Sequence, residues 1–188
     1  MATKIIIPPT VEPVTIAELR SHLRGLLPSE EALVMGYLSA AREAAEQFIG
    51  FALAEQTWEV ALDRFPDGAI ELPGGTVSQV VSVTYADENG DEQTIDVAAY
   101  TLDDYSTPNW LLYASGTTWP ATYDAANAVK VRYVVGNQPL LPSIRAALLL
   151  MVGDLYENRE DTVVGASVAT LPNGVRALLH PHRVNLGV

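Results

Sequence analysis

Three histidines, His22, His180 and His182, are the only side chains whose type suits proton transfer at neutral pH. None lies in a nucleophile pattern such as G-x-S-x-G, and His22 falls on a predicted helix where it reads as a surface residue. His180 and His182 flank a proline, and two imidazoles without a third ligand do not make a metal site. Cysteine is absent, which removes disulfides, thiolate ligands and sulfur nucleophiles together. The acidic run DENGDE, residues 87–92, lacks the ligand spacing and closing bidentate glutamate of a calcium loop; Asn89-Gly90 between β-prone flanks makes it a hairpin turn. Asp103 and Asp104 are neighbours in sequence, a spacing that does not set two carboxylates across a scissile bond. LPGGT, residues 72–76, reads as a turn and not as a phosphate loop. Trp58, Trp110 and Trp119 would stack on sugar rings if exposed in a row, so a ligand- or carbohydrate-binding β-module is the alternative function; packed inward they simply fill a core. No enzymatic activity, no cofactor and no metal are expected.

The useful chemistry must then come from surfaces. Arg20, Arg24, Arg159, Arg176 and Arg183 collect towards the two ends of the chain, uneven enough to suggest a docking surface for an acidic partner. The whole chain carries 11 basic against 23 acidic residues, a net charge of −12. That field repels nucleic acid and anionic membrane and argues against a sequence-reading DNA-binding module. It suits a protein that encloses DNA without gripping it, because an acidic lumen keeps a moving polyanion from sticking. With 188 residues, 48% hydrophobic and 18% charged, the chain can bury a core and is not of the disordered class. Its longest apolar run, residues 146–152, is too short to cross a bilayer, and MATKIIIPPT lacks the apolar region and cleavage site of a signal peptide, so a soluble intracellular protein is expected.

The elements that position these residues read in the order helix, helix, sheet, helix, helix. KIIIPP makes residues 1–13 an extended arm. Thr15 and Glu18 form a capping box ahead of Ile16, Leu19 and Leu23, and Gly25 and Pro28 close that helix. Ser29 is expected to cap a second helix, in which Leu33, Val34, Tyr37, Leu38, Ala41, Ala45, Phe48 and Ile49 recur at helical spacing before Gly50 stops it. From Leu53 to Gly136 the period falls to two, and five or six short strands follow one another; QTWEVALDRF puts Trp58, Val60 and Leu62 on one face. After Pro139 and Pro142, Ser143 is expected to cap a helix running to about Arg159, followed by a loop, a short helix in GVRALLH and a tail.

Neither helical piece can bury its own apolar stripe, so the two ends must join. The expected fold is α+β: a discontinuous helical bundle, residues 14–51 plus 140–180, carrying an inserted antiparallel β-domain, residues 52–138, with the arm 1–13 and a C-terminal tail 181–188. Ile144, Leu148, Met151 and Leu155 would face Leu33, Tyr37, Leu38 and Phe48. Leu149, Leu150 and Val152 would point elsewhere, towards the β-domain or a neighbouring subunit, since each leucine left in water forgoes roughly 2 kcal/mol.

Taken in order, EPVTIAELRSHLR, AAREAAEQFIG, ALAEQTWEVALDRFP, IELPGGTVSQVVSVTYADENGDEQTID, YTLDD, WPAT, VKVRYVVG, PSIRAALLLMVGDLYENRE and LPNGVRALLHPHRV resemble the tailed-phage head–tail connector (adaptor) proteins, of the gp6-like and phiE125 gp8-like group with its prophage and gene-transfer-agent versions. The similarity covers nearly the whole chain and is carried by the order and spacing of the motifs jointly. It implies a virion structural protein of the head–tail interface, present in the host cytoplasm during assembly, that catalyses nothing. It also implies a ring of about 12 copies whose number follows the portal protein's cyclic symmetry. Such a ring extends the DNA channel towards a stopper or tail-completion protein without reading DNA sequence. By position, the helix ending in YENRE supplies the subunit-interface candidates Leu149, Leu150, Val152, Tyr156, Glu157 and Arg159. The segment 172–184 supplies the portal-docking candidates Arg176, His180, His182, Arg183 and Val184. Many relatives place an aromatic before the arginine of that last motif, where this chain has His182 before Arg183.

Overall fold

The computed structural model describes residues 1–114, 118–158 and 171–184. The chain divides into two units, each assembled from two separate stretches: Met1–Val11 with Ala54–Gln138, and Glu12–Leu53 with Pro139–Val188. The fold is α+β, with four α-helices and antiparallel sheets among the described residues.

In the helical unit, α1 (Ile16–His22) opens on the capping box read from sequence. The Thr15 hydroxyl accepts the Glu18 N–H at 3.3 Å, and the Glu18 carboxylate accepts the Thr15 N–H at 2.8 Å. Helix α2 (Glu31–Ile49) follows a 3₁₀ turn over Pro28–Glu30, so Ser29 lies inside that turn and does not cap the helix as expected. Pro28 is the reason: its fixed φ and missing N–H suit the first position of a tight turn. Gly50 ends α2 at φ +87°, a conformation open to glycine at no steric cost. Helix α3 (Pro142–Glu157) begins one residue before Ser143, because a proline at the first helical position gives up nothing that the helix needs. Helix α4 (Asn173–Leu179) runs into a second 3₁₀ turn, His180–His182.

Helix α3 packs on α2 and α4. Val34, Leu38, Ala41, Ala45 and Ile49 of α2 meet Ile144, Ala147, Leu148 and Val152 of α3, with Leu19 and Leu23 from α1 and Val175 and Leu179 from α4 completing the core. Two sequence expectations change here. Leu33 and Leu155, expected inward, are exposed, whereas Val152, expected on the outer flank, is 0% exposed. Four residues bring a helix back to nearly the same face, so Val152 follows Leu148 inward, and Val34 takes the core position that Leu33 was assigned.

In the β unit the arm is a strand. Ala2–Ile7 (β1) pairs antiparallel with Gln56–Leu62 (β2), and the five-stranded sheet continues through Val129–Val135 (β8) and Val77–Ala86 (β4) to Glu92–Thr94 (β5), in the order β1-β2-β8-β4-β5. A second sheet holds Ile70–Leu72 (β3), Asn109–Tyr113 (β7) and Tyr100–Asp103 (β6), in the order β3-β7-β6. Among the described residues seven strands follow Leu53, against the five or six expected; the one the sequence reading did not name is β6, whose four residues are too few for a period of two to register. Alternate residues of β8, namely Val129, Val131, Tyr133 and Val135, are buried, and Val60 and Val83 join them from the strands on either side.

Polar bonds connect the two sheets. The Tyr133 hydroxyl donates to the Pro73 carbonyl at 2.9 Å, and burial pushes its pKa upward, so it stays a donor. Asn109, also buried, accepts the Val77 N–H at 2.6 Å and donates to the Ser106 carbonyl at 2.7 Å. Gly74, at φ +102°, lies against the Trp58 ring so closely that an added Cβ would sit 2.8 Å from it. Gly74→Ala is therefore expected to lower the unfolding free energy by about 1–3 kcal/mol through clash and backbone strain. Leu148→Ala should lower it by about 3 kcal/mol by opening a cavity in the helical core. Urea denaturation of purified variants checks both.

Candidate functional site

An α-helix with apolar residues on nearly every side needs several neighbours, and α3 finds most of them in its own chain. Towards α1, Arg145 pairs with Glu18, and a Cβ added at Gly153 would sit 3.4 Å from His22 Nε2; towards the 3₁₀ turn that precedes α2, the Tyr156 hydroxyl donates to the Glu30 carboxylate at 2.7 Å. Leu149 is half-buried against the helical core. What remains outward is a stripe at helical spacing: Leu150, 45% exposed, then Asp154 and Glu157. Of the six predicted interface residues, Leu150 and Glu157 thus lie on one open face, Leu149 and Tyr156 sit behind it, and Val152 is withdrawn into the core. Arg159 lies outside the described residues.

The five docking candidates also divide. Arg176, His180 and Arg183 are exposed. His182 is half-buried, its Nε2 2.7 Å from the Ser143 hydroxyl on the first turn of α3. Val184 donates its N–H to the Ile49 carbonyl at 2.8 Å, so it fastens the segment to the end of α2. The guanidinium groups of Arg176 and Arg183 each lie 5.8 Å from the centre of the Phe48 ring. Phe48 in turn borders an open groove of about 630 Å³ lined by Ala40, Ala44, Met151, Leu155 and Pro172. Gln47 and Asp154 also line it, so a mainly apolar groove with charges of both signs about it suits a protein surface carrying apolar and charged side chains.

Sequence reading missed the most deeply held charge. Arg42, 4% exposed, donates to Glu12 at 2.9 Å, to Glu46 at 2.8 Å and to the Ser39 hydroxyl at 3.2 Å. The second oxygen of Glu46 accepts the Leu53 N–H at 2.7 Å. Burial alone would lower the Arg42 pKa; the hydrogen bonds and charges of Glu12 and Glu46 outweigh it and leave the pKa raised. The signal was present: an arginine among Leu38, Ala41, Ala45 and Ile49 breaks an apolar stripe, and a glutamate stands four residues on.

The three tryptophans form no open row. Trp58 lies under Gly74, and Trp119 stacks parallel on Phe65 at 4.7 Å, approaches Tyr113 at 4.6 Å and donates to the Gly68 carbonyl at 2.8 Å. Trp110 is half-buried on β7 between Glu71 and Asp103 of the adjoining strands. DENGDE is the hairpin turn expected. Asp87 accepts the Gln93 amide at 2.9 Å and the N–H groups of Asn89 and Asp91, and these hold its carboxyl below the ordinary range. Among the described residues no group of three or more histidines and carboxylates is placed to hold a metal ion, and no helix is long and apolar enough to cross a membrane.

With this geometry the chain defines a class, an α+β protein whose discontinuous helical unit presents one mixed outer stripe and one cation-rimmed groove. No protein-family model matches it, and no curated protein does. Solved structures do match. A chain of the virion of a native gene transfer agent particle is 25% identical over 97% of this chain and 95% of that one, with a TM-score of 0.76. Chains from the neck of the empty particle, computed with C6 symmetry, and from the neck of the native particle, computed with C12 symmetry, are 24% identical over the same shares, with TM-scores of 0.76 and 0.72.

Arg42→Ala takes the shared cation away from the half-buried carboxylates of Glu12 and Glu46 and is expected to cost about 2–4 kcal/mol, measured by denaturant unfolding at pH 7. Glu18 gives a pH signature. The Thr15 N–H foremost, then its hydroxyl and Arg145, lower the folded-state pKa of Glu18 below its unfolded value. Its contribution is therefore complete above about pH 5 and is lost as the pH falls through the lower folded value. The stability gap between the native chain and Glu18→Gln should accordingly be present at neutral pH and close in acid, as followed by thermal melts across that range.

Proposed function

We propose that this chain is a structural protein of the neck of a phage-like particle, a head–tail connector of the adaptor type. The observation that carries the reading is the likeness, over 97% of the chain, to chains of a gene transfer agent virion and its neck. The sequence resemblance points the same way. The cyclic symmetry of those necks supports a ring of copies seated under a portal protein and leading DNA towards a stopper or tail-completion protein. A ring built head to tail needs two different, complementary flanks on each copy. The α3 stripe of Leu150 and Glu157, with Leu149 and Tyr156 supporting it, supplies one such flank. Arg176, His180 and Arg183 offer cations to an acidic patch on the portal, while His182 and Val184 position the segment that carries them. A net charge of −12 suits a passage through which DNA slides. In this role the chain works as a virion component and is made in the host cytoplasm.

Electron microscopy of the purified chain mixed with its portal protein tests the reading: rings on the portal support it, and persistent absence of both binding and rings removes it. Leu150→Glu alters an exposed position, so its unfolding free energy should stay within about 0.5 kcal/mol of the native value while ring assembly falls sharply. Light scattering and denaturation of the same sample separate the two effects.

A further inference from the structure

The five-stranded sheet ends on two edges that differ in apolar character and in charge. At one end β1 has no strand partner on its outer side among the described residues, and its isoleucines stay in water, Ile5 49% and Ile7 53% exposed. Residues 1–11 carry one charged side chain, Lys4. At the other end β5, likewise without an outer partner among the described residues, is exposed at all three positions and belongs to a hairpin bearing Asp87, Glu88, Asp91 and Glu92. An open strand edge is a template for another strand, and natural proteins normally blunt it. Here Lys4 and the register shift between Ile5 and Ile7 do limit indiscriminate pairing, yet a lysine on an apolar edge also selects an acidic strand over a neutral or basic one.

We propose that β1 of one copy pairs with β5 of the next, so that the sheet runs from subunit to subunit. The occupant of the β1 edge is a second copy of this chain. The argument is complementarity: one edge is apolar and cationic, the other acidic, and both belong to the same sheet, so a single interface uses both and leaves each outer copy with one edge still free. Direction follows from strand count. All four pairings in the sheet are antiparallel, so the first and fifth strands run the same way. Copies related by a small rotation therefore join β1 to β5 in parallel, whereas a two-fold contact of β1 with β1 would be antiparallel. The inference rests on the reading that copies form a ring and adds the element that joins them.

The absence of cysteine makes the test direct. Variants with a cysteine at each β1 position in turn are mixed with Glu92→Cys or Thr94→Cys in the full-length chain and oxidised under assembly conditions, with and without the portal protein. Each variant carries a single cysteine, so every bond formed joins two molecules. The expected result is a dimer of unlike variants, with the β1 position that best captures Thr94→Cys lying C-terminal to the one that best captures Glu92→Cys. Reversing Lys4 to Glu should weaken assembly several-fold, and adding Glu92→Lys to the same chain should restore it. The reverse positional order, bonds only between identical β1 variants, or capture of the portal instead of a second copy overturns the proposal. So do rings seen by microscopy with no cross-link at any position, and that outcome leaves the connector reading standing. Failure to self-associate under any of these conditions removes both.

Discussion

A guanidinium buried to 4% exposure is tolerable only if every carboxylate it needs is brought to it, and Arg42 imposes that demand on the chain. Glu12 comes from the residues just ahead of α1, Glu46 from the next turn of α2, and Glu46 then takes the N–H of Leu53, where the first helical stretch ends. One cation thereby fixes where residues 12–53 begin and where they stop. The apolar stripe of α2 could slide or rotate by a fraction of a turn at small cost; a charge with two assigned partners cannot. The packing of α3 and α4 on α2 inherits that fixed frame.

The question raised by α3, why a helix should be apolar on nearly every face, is largely answered inside one subunit. Helix α2 takes one side, with Tyr156 bonded to Glu30 of the turn before it, α4 another, and α1 a third through Arg145–Glu18. A helix central to four needs little polar surface, and its low amphipathicity is the expected consequence. Among the described residues Leu150, Asp154, Leu155 and Glu157 of α3 stay outward, a face more polar than the sequence suggested once Val152 is seen to turn inward.

Much of this was legible beforehand, for identifiable reasons. The capping box at Thr15, the stop at Gly50 and the Asn89-Gly90 turn are local: the residues that signal them are the residues that make them. The union of the two terminal helical stretches was legible because neither has enough partners alone. Ser29 and Ser143 misled because an adjacent proline, in each case, set the helix start and left the hydroxyl idle or recruited elsewhere. The Arg42 cluster, the shared Phe48 ring and the β1 pairing depend on residues far apart in sequence, and periodicity carries no information about those.

The register of the sheet bears on how such an interrupted chain finds its form. Gln56 sits opposite Val135, so the first strand after α2 and the last strand before α3 are neighbours. A separation of dozens of residues becomes, once those strands have zipped, a bridge of a few. Loop-closure entropy grows with the logarithm of length, and the shortening is worth roughly 1.5 kcal/mol to the meeting of α2 and α3. In the folded chain the paired strands thus act as a clasp, so that a long insertion burdens the union of the two helical stretches no more than a short loop would.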